Sequence, residues 1–526
     1  MKNIVLCSDG TGNTAVKGRG TNVFKLFEAV DLNGHKHNPS LPQQIAYYDD
    51  GVGTEQNKLL KLIGGAFGWG LERNVKQLYA TLCRCYDRGD QIYLFGFSRG
   101  AYTIRTVGGM IARYGILDRS VFSGGDSDKK LEKAVDRIYK EFRKTFRRFQ
   151  WVRRTAEQWK GGRREAAAAD PDADEGSKPE GGEPPEPAYE GPIRFIGVWD
   201  TVAAVGFPFK EIANFVNEVI YPFRFDDLKL SKKKVARACH ALAIDDERKT
   251  FHPELWDESD ESGGRIEQVW FAGVHTNVGG GYPKQGMSLV TLDWMMSKAA
   301  DNGLRFLPDL RKQYQERSNV HDKLYNSRSG LKVYYRYQPR DIQDLCEHHG
   351  VRPKIDVSVM HRIALATDGY APGNLPDSFE IVSSNPEVPR EDPKTLDSLS
   401  RQVRWQARAN ARRLLDAASL LVGMRRKVHA SFVVLSLGVL GLTFVPVPIL
   451  SDTVPVLPDW LAGVLAKLFA MVPVVGSRLS ELIAEWPPAV AALVLILLFY
   501  AFSLIARRQM RSVFARFWRE RLPRPW

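Results

Sequence analysis

Gln91-Ile92-Tyr93-Leu94-Phe95-Gly96-Phe97-Ser98-Arg99-Gly100-Ala101 carries a strand into a tight turn and the turn into a helix. Its first residues are rich in β-branched and aromatic side chains, which suit a buried strand. Gly-x-Ser-x-Gly follows, and Ala101–Leu117 then has helical apolar spacing at Ile104, Val107 and Ile111. That order is the context of a nucleophile elbow. A sharp strand-to-helix turn holds its central residue in a strained conformation, and side chains on its neighbours would clash. Ser98 is therefore the candidate nucleophile, with the first amides of the next helix placed to favour developing negative charge.

Working outward, Ile4–Cys7 reads as a central strand, and Gly10, Gly12 and Asn13 leave a loop that can approach a ligand closely. In an α/β-hydrolase such a loop gives one oxyanion-hole amide, here from Gly10 or Thr11, and the residue after the nucleophile, Arg99, gives the other. A plain tight turn at Gly10 is the alternative. Ile45–Asp49 reads as a strand and Leu71–Tyr86 as a helix. Ile193–Trp199 is a strand ending in Asp200, Val235–Ile244 reads as a helix, and Gln268–Val274 is a strand ending in His275. Ser98, Asp200 and His275 thus each follow a strand, in the chain order this fold uses. A serine hydroxyl needs a base, an imidazole with a pKa near ~6.5 suits that task, and a buried carboxylate fixes its tautomer. His240, expected inside a helix, and His361 are the competing histidines; Asp245 and Asp246 are the rival acids.

The chain has 526 residues, a net charge of +13 and a hydrophobic share of 44%. This allows a large core and more than one domain. The positive charge is concentrated in 128–164 and in the last hundred residues, and no zinc-finger, helix-turn-helix or RNA-binding motif accompanies it, so nucleic acid is not the expected partner. Residues 128–160 form a basic amphipathic helix with Leu131, Val135, Ile138, Phe142 and Phe149 near one face. It is either a cap, a membrane-surface helix or an ordinary helix packed on the sheet. Residues 161–192 are rich in Gly, Pro, Ala, Asp and Glu and read as a disordered acidic linker. The five cysteines show no paired spacing and read as reduced thiols of a cytosolic compartment, and the N-terminus reads as a first strand, not a signal peptide. No metal or cofactor is expected.

After a catalytic domain of residues 1–400 and a basic juxtamembrane helix at 401–427, two apolar runs follow, Val428–Leu450 and Ala489–Ala506. Arg412, Arg413, Arg425, Arg426 and Lys427 precede the first, and Arg507, Arg508, Arg511 and Arg516 follow the second. The expectation is a transmembrane hairpin within 428–506 and a basic tail at 507–526. Both ends would be cytoplasmic by the positive-inside rule, so the catalytic domain would face the cytoplasm from the inner membrane.

Asp9-Gly10-Thr11-Gly12-Asn13, Gly51-Val52-Gly53-Thr54, Gly96 to Tyr102, Trp199-Asp200-Thr201-Val202, Ala241 to Asp245, and Trp270 to His275 with Val278 to Tyr282 occur in one order. In this the chain resembles the bacterial α/β-hydrolase family whose studied members include the first class of type VI secretion lipase effectors, which are phospholipases. The resemblance implies a mostly parallel sheet flanked by helices and a triad on Ser98, Asp200 and His275, with Asp9 and Asn277 beside it. The family usually has Asp where this chain has Asn277, which puts the support around His275 in question. The expected function is a membrane-anchored serine hydrolase of acyl esters, with a lipid or acyl-ester substrate. A non-catalytic hydrolase-fold scaffold and a secreted antibacterial lipase effector are the alternatives.

Overall fold

The computed structural model describes residues 1–10, 20–50, 65–122, 126–159, 188–202, 230–261, 263–383, 420–436, 438 and 488–519. Strands β1 (Lys2–Ser8), β2 (Gln43–Asp49), β3 (Gln91–Phe97), β4 (Ile116–Leu117), β5 (Ala188–Tyr189), β6 (Ile193–Trp199), β7 (Ala238–Ala243), β8 (Ile266–Phe271), β9 (Lys354–Asp356) and β10 (Glu380–Val382) are joined mainly by helices. Eight of them form one sheet in the order β10-β9-β8-β7-β6-β3-β1-β2, and every pairing in it is parallel. β4 and β5 pair antiparallel beside it.

The near-continuous apolar character of β1 and β3 follows from this topology, since a parallel sheet buries both faces. Side chains alternate across the pleat. Ile4, Leu6, Ile92 and Leu94 enter one core with residues of α3 (Gly65–Cys85), α4 (Arg99–Tyr114) and α5 (Ser127–Trp159). Val5, Cys7, Tyr93, Phe95 and Phe97 enter the other, with Val23 and Leu26 of α1 (Asn22–Ala29) and with Leu292, Trp294 and Met295. β1 has β2 on one side and β3 on the other, so the chain reverses direction across the sheet between β1 and β3. The carboxyl ends of the strands at such a reversal are where open α/β sheets bind ligands.

Two expectations are changed and one left open is narrowed. The helix expected at 235–244 is the strand β7, buried along its whole length. Ala, Leu and Arg favour helix in isolation, yet small Ala side chains also fit the centre of a sheet covered on both faces, and tertiary packing overrides the propensity. The apolar face of α5 is spent on the core: Leu131, Val135, Ile138 and Phe142 are buried among α3 and α4 residues. That favours the packed helix over a cap or a membrane-surface helix for this part of it; Phe149 lies outside the described side chains. The acidic linker expected to reach Pro192 ends earlier, because Ala188 and Tyr189 pair with Leu117 and Ile116.

Two compact units divide the chain: Met1–Tyr335 with Pro339–Arg408 and Leu522–Trp526, and Arg336–Gln338 with Ala409–Arg521. The sheet lies wholly in the first. The second contains helices at 420–436 and at Pro488–Arg519. Among the described residues no helix is long and apolar enough to cross a membrane, so the expected hairpin has no support there; residues 439–487 lie outside the described part.

Candidate active site

β3 delivers its last residue, Phe97, directly into Ser98, and α4 begins at Arg99. Ser98 has φ 58° and ψ −121°, a conformation costing an L-residue about 1–3 kcal/mol and sustained only by its surroundings. Those surroundings are explicit. Ser98 N–H donates to Trp199 O at 3.0 Å, and Ser98 O accepts from Tyr102 N–H at 3.3 Å and Val202 N–H at 3.4 Å. The flanking glycines are required by contact. A Cβ on Gly96 would lie 2.6 Å from Ala101 Cα, and one on Gly100 would lie 2.1 Å from Ser8 O.

Asp200 follows β6 and His275 opens the short helix His275–Gly279 just after β8. The structure brings all three candidates together. His275 Nε2 is 2.8 Å from Ser98 Oγ, and His275 Nδ1 is 2.5 Å from Asp200 Oδ2. The imidazole packs between two rings, with centroid distances of 4.6 Å to Phe97 and 5.1 Å to Phe251. Burial pushes its pKa below the ordinary histidine value, against the opposing pull of Asp200. The ring is therefore a neutral acceptor at neutral pH, the state a general base needs. Burial alone would raise the Asp200 carboxyl, but the Arg340 guanidinium outweighs it, and hydrogen bonds from Arg340 and His275 help hold the group well below the usual carboxylate range.

The rival residues have other partners. His240 stands on β7, not on a helix; its Nε2 accepts Thr201 N–H at 3.1 Å and its Nδ1 lies 3.3 Å from Gln268 Oε1. Burial drives its pKa down to about 3, so it is a neutral strut beneath the turn after Asp200. His361 lies on the helix Val357–Ala364. Asp245 accepts Gly273 N–H at 2.6 Å and the Tyr370 hydroxyl at 3.0 Å. Asp246 forms a forked pair with Arg248, at 2.9 and 2.7 Å, and accepts the backbone N–H of His275 at 3.2 Å. It holds the histidine's backbone, while Asp200 takes the ring.

Asn277 does not orient the imidazole. Its Nδ2 donates to Lys323 O at 3.1 Å and its Oδ1 accepts Tyr325 N–H at 3.2 Å, which ties the segment 323–325 to the helix. An aspartate there could not donate to the Lys323 carbonyl, so the amide fits this position on its own terms. Asp9 accepts the Thr21 hydroxyl at 2.5 Å, the Tyr48 hydroxyl at 2.6 Å and Gly10 N–H at 2.6 Å. The Gly10 amide is thus directed at Asp9 here. Thr11 lies outside the described residues. Arg99 is the first residue of α4, so its amide is among those that an α-helix leaves without an intrahelical acceptor.

Sequence reasoning missed Arg340, whose Nη1 donates to Asp200 Oδ1 at 2.6 Å and whose Nη2 donates to Asp200 Oδ2 at 2.8 Å. It lies 140 residues beyond its partner, among 74 lysines and arginines, with no motif around it.

Residues 2–298 match the family described as T6SS, phospholipase effector Tle1-like, catalytic domain. The chain belongs to this family. Its matched region contains the three residues of the site and six of the eight strands of the sheet; β9 and β10 lie beyond it. The uncharacterized protein YEL023C of Saccharomyces cerevisiae is 27% identical over 247 residues, which are 43% of this chain and 31% of that protein. The chain therefore spans about a third of that relative's length. A crystal structure of an uncharacterized protein from Pseudomonas aeruginosa is similar at 18% identity and a TM-score of 0.31, over 60% of this chain and 48% of that one.

Proposed function

We propose that the protein is a serine hydrolase that cleaves acyl esters of phospholipids. The observation that carries this reading is the unbroken line from Ser98 Oγ through the His275 ring to Asp200, at 2.8 and 2.5 Å, on an elbow at the carboxyl edge of a parallel sheet. Membership of a phospholipase-effector family supports the substrate class. Ser98 Oγ attacks the ester carbonyl while His275 Nε2 takes its proton, and Asp200 stabilises the imidazolium through Nδ1–H. The Arg99 amide holds the oxyanion. His275 then returns the proton to the leaving alcohol, and water, deprotonated by the same ring, releases the acid from Ser98.

A fluorophosphonate probe followed by peptide mass spectrometry is expected to mark Ser98, and a phospholipid panel is expected to yield free fatty acid. A folded protein that the probe leaves unmodified would refute the reading.

The same reading extends to the membrane. By sequence alone, Val428–Leu450 and Ala489–Ala506 hold the chain at the bacterial inner membrane, with the hydrolase unit on the cytoplasmic side, although the described helix Pro488–Arg519 is not itself long and apolar enough to cross it. The support is the cationic flanks, Arg425-Arg426-Lys427 before the first run and Arg507-Arg508 after the second. Reporter fusions at residue 300 are expected to be active only with a cytoplasmic reporter. Activity of a periplasmic reporter there would overturn the orientation.

A further inference from the structure

We propose that Arg340 is a positioning residue for the Ser98–His275–Asp200 line: its forked guanidinium fixes the plane of the Asp200 carboxylate and, by neutralising that carboxylate, sets the pH below which His275 ceases to act as a base. The inference rests on the hydrolase reading above and adds to it a control element outside the triad.

The geometry is specific to arginine. Arg340 and Asp200 are both fully buried, and their two parallel N–H···O contacts of 2.6 and 2.8 Å form the bidentate arrangement that a planar guanidinium makes and a lysine cannot. The fork is itself held, because Nη1 also donates to Ala243 O and Nη2 to Phe251 O. The backbone of Arg340 is tied too: Asn374 Nδ2 donates to its carbonyl at 3.0 Å and to Ile244 O at 2.9 Å. Asp200 accepts four donors in all. Oδ1 takes Arg340 and the Ala243 amide at 3.0 Å; Oδ2 takes Arg340 and His275. A carboxylate so held cannot rotate, and Oδ2 stays aimed at Nδ1.

The electrostatic consequence follows from which charges face His275. Asp200 comes from the end of β6 and Arg340 from the segment after Tyr337. Asp246 and Arg248 come from the loop after β7 and form a second buried pair. The Phe97 and Phe251 rings also pack on the imidazole, and the buried Arg99 follows Ser98 on α4. Each carboxylate is paired with a guanidinium, so neither Asp200 nor Asp246 faces the imidazole as an unpaired negative charge. An unpaired Asp200 would favour the imidazolium strongly; the Arg340-bound one favours it less. Burial is the first cause of the downward displacement of the His275 pKa; Arg248 adds to it, while Asp200 and Asp246 oppose it. If Arg340 were only a strut, its loss would reduce the folded fraction and leave the pH dependence of the folded enzyme in place.

The test is the rate at which a fluorophosphonate modifies Ser98 in the full chain, measured across pH for wild type, Arg340→Gln and Arg340→Lys. The wild-type acid limb is expected below the ordinary histidine value of ~6.5. Arg340→Gln is expected to move the limb up by about one pH unit or more, since a nearby cation is removed. Arg340→Lys is expected to keep the limb near its wild-type position and to slow the reaction about tenfold, because charge remains and the fork is lost. An unmoved limb in folded Arg340→Gln would overturn the inference. Should that variant fail to fold, a wild-type limb above pH 7, or a lysine variant equal to wild type in both rate and limb, would overturn it instead. Wild type unmodified at every pH removes the hydrolase reading and this inference together; modified wild type with an unmoved limb removes this inference alone.

Discussion

Ser98→Ala is expected to lower ester hydrolysis by about 10⁴- to 10⁶-fold while leaving the fold intact. Only one oxygen is removed, yet it is the atom that would form the covalent intermediate, and no neighbour can replace it. His275 Nε2, 2.8 Å from the deleted hydroxyl, would face the substrate without a nucleophile to activate. Residual turnover would come from the remaining amides and from substrate binding. Stability should change little, by about 1–2 kcal/mol in either direction. One hydrogen bond is lost, and the backbone conformation at φ 58° is held by the Trp199, Tyr102 and Val202 contacts, which do not involve the side chain. Initial rates on a short acyl ester, alongside circular dichroism and a thermal melt, check both halves. Retention of a tenth of wild-type activity would exclude Ser98 as the nucleophile.

The parts of this site that could be read from sequence are those that local chemistry writes into consecutive residues. The elbow needs Gly96 and Gly100 because backbone atoms lie 2.6 and 2.1 Å from where their Cβ atoms would be, so the requirement appears as a motif five residues long. Asp200 and His275 could be anticipated because each directly succeeds an apolar run, and the edge where strands end is where such residues gather. What stayed hidden depends on distant packing. β7 looked helical because its alanines favour a helix when considered alone; only the strands on either side, β6 and β8, make it a strand. His240 then changes from a competing base to a buried strut. Arg340 left no trace for a similar reason. Its meaning comes from a partner 140 residues away, and a lone arginine before the helix Ile342–His348 resembles a solvated surface charge. Asn277 shows the converse: a departure from the family pattern suggested altered chemistry at His275, whereas its amide bonds to Lys323 and Tyr325 and carries out a local tethering task.

Gly100→Ala is expected to destabilise the protein by about 3 kcal/mol or more and, in whatever fraction still folds, to cut turnover by about 10²-fold. The added methyl would sit 2.1 Å from Ser8 O and 2.5 Å from Asp9 O, and both are backbone atoms. A flexible side chain could swing aside; Ser8 cannot, because it is paired with Asp49 of β2 and with Gly96 of β3 in the middle of the sheet. The first turn of α4 must therefore rise off the end of β1. Ser98 is the residue before that helix, so its Oγ would be carried away from His275 Nε2, and a misplacement near 1 Å is enough to cost about 10²-fold in rate. Gly423→Ala provides the contrast, since nothing lies within 4 Å of the Cβ it would add in the helix at 420–436, and it should be neutral or slightly stabilising. Urea denaturation of the two variants, with activity measured well below the melting temperature, separates the effects. If folded Gly100→Ala turned over at the wild-type rate, the close approach of α4 to β1 would not be what holds Ser98 in line with His275.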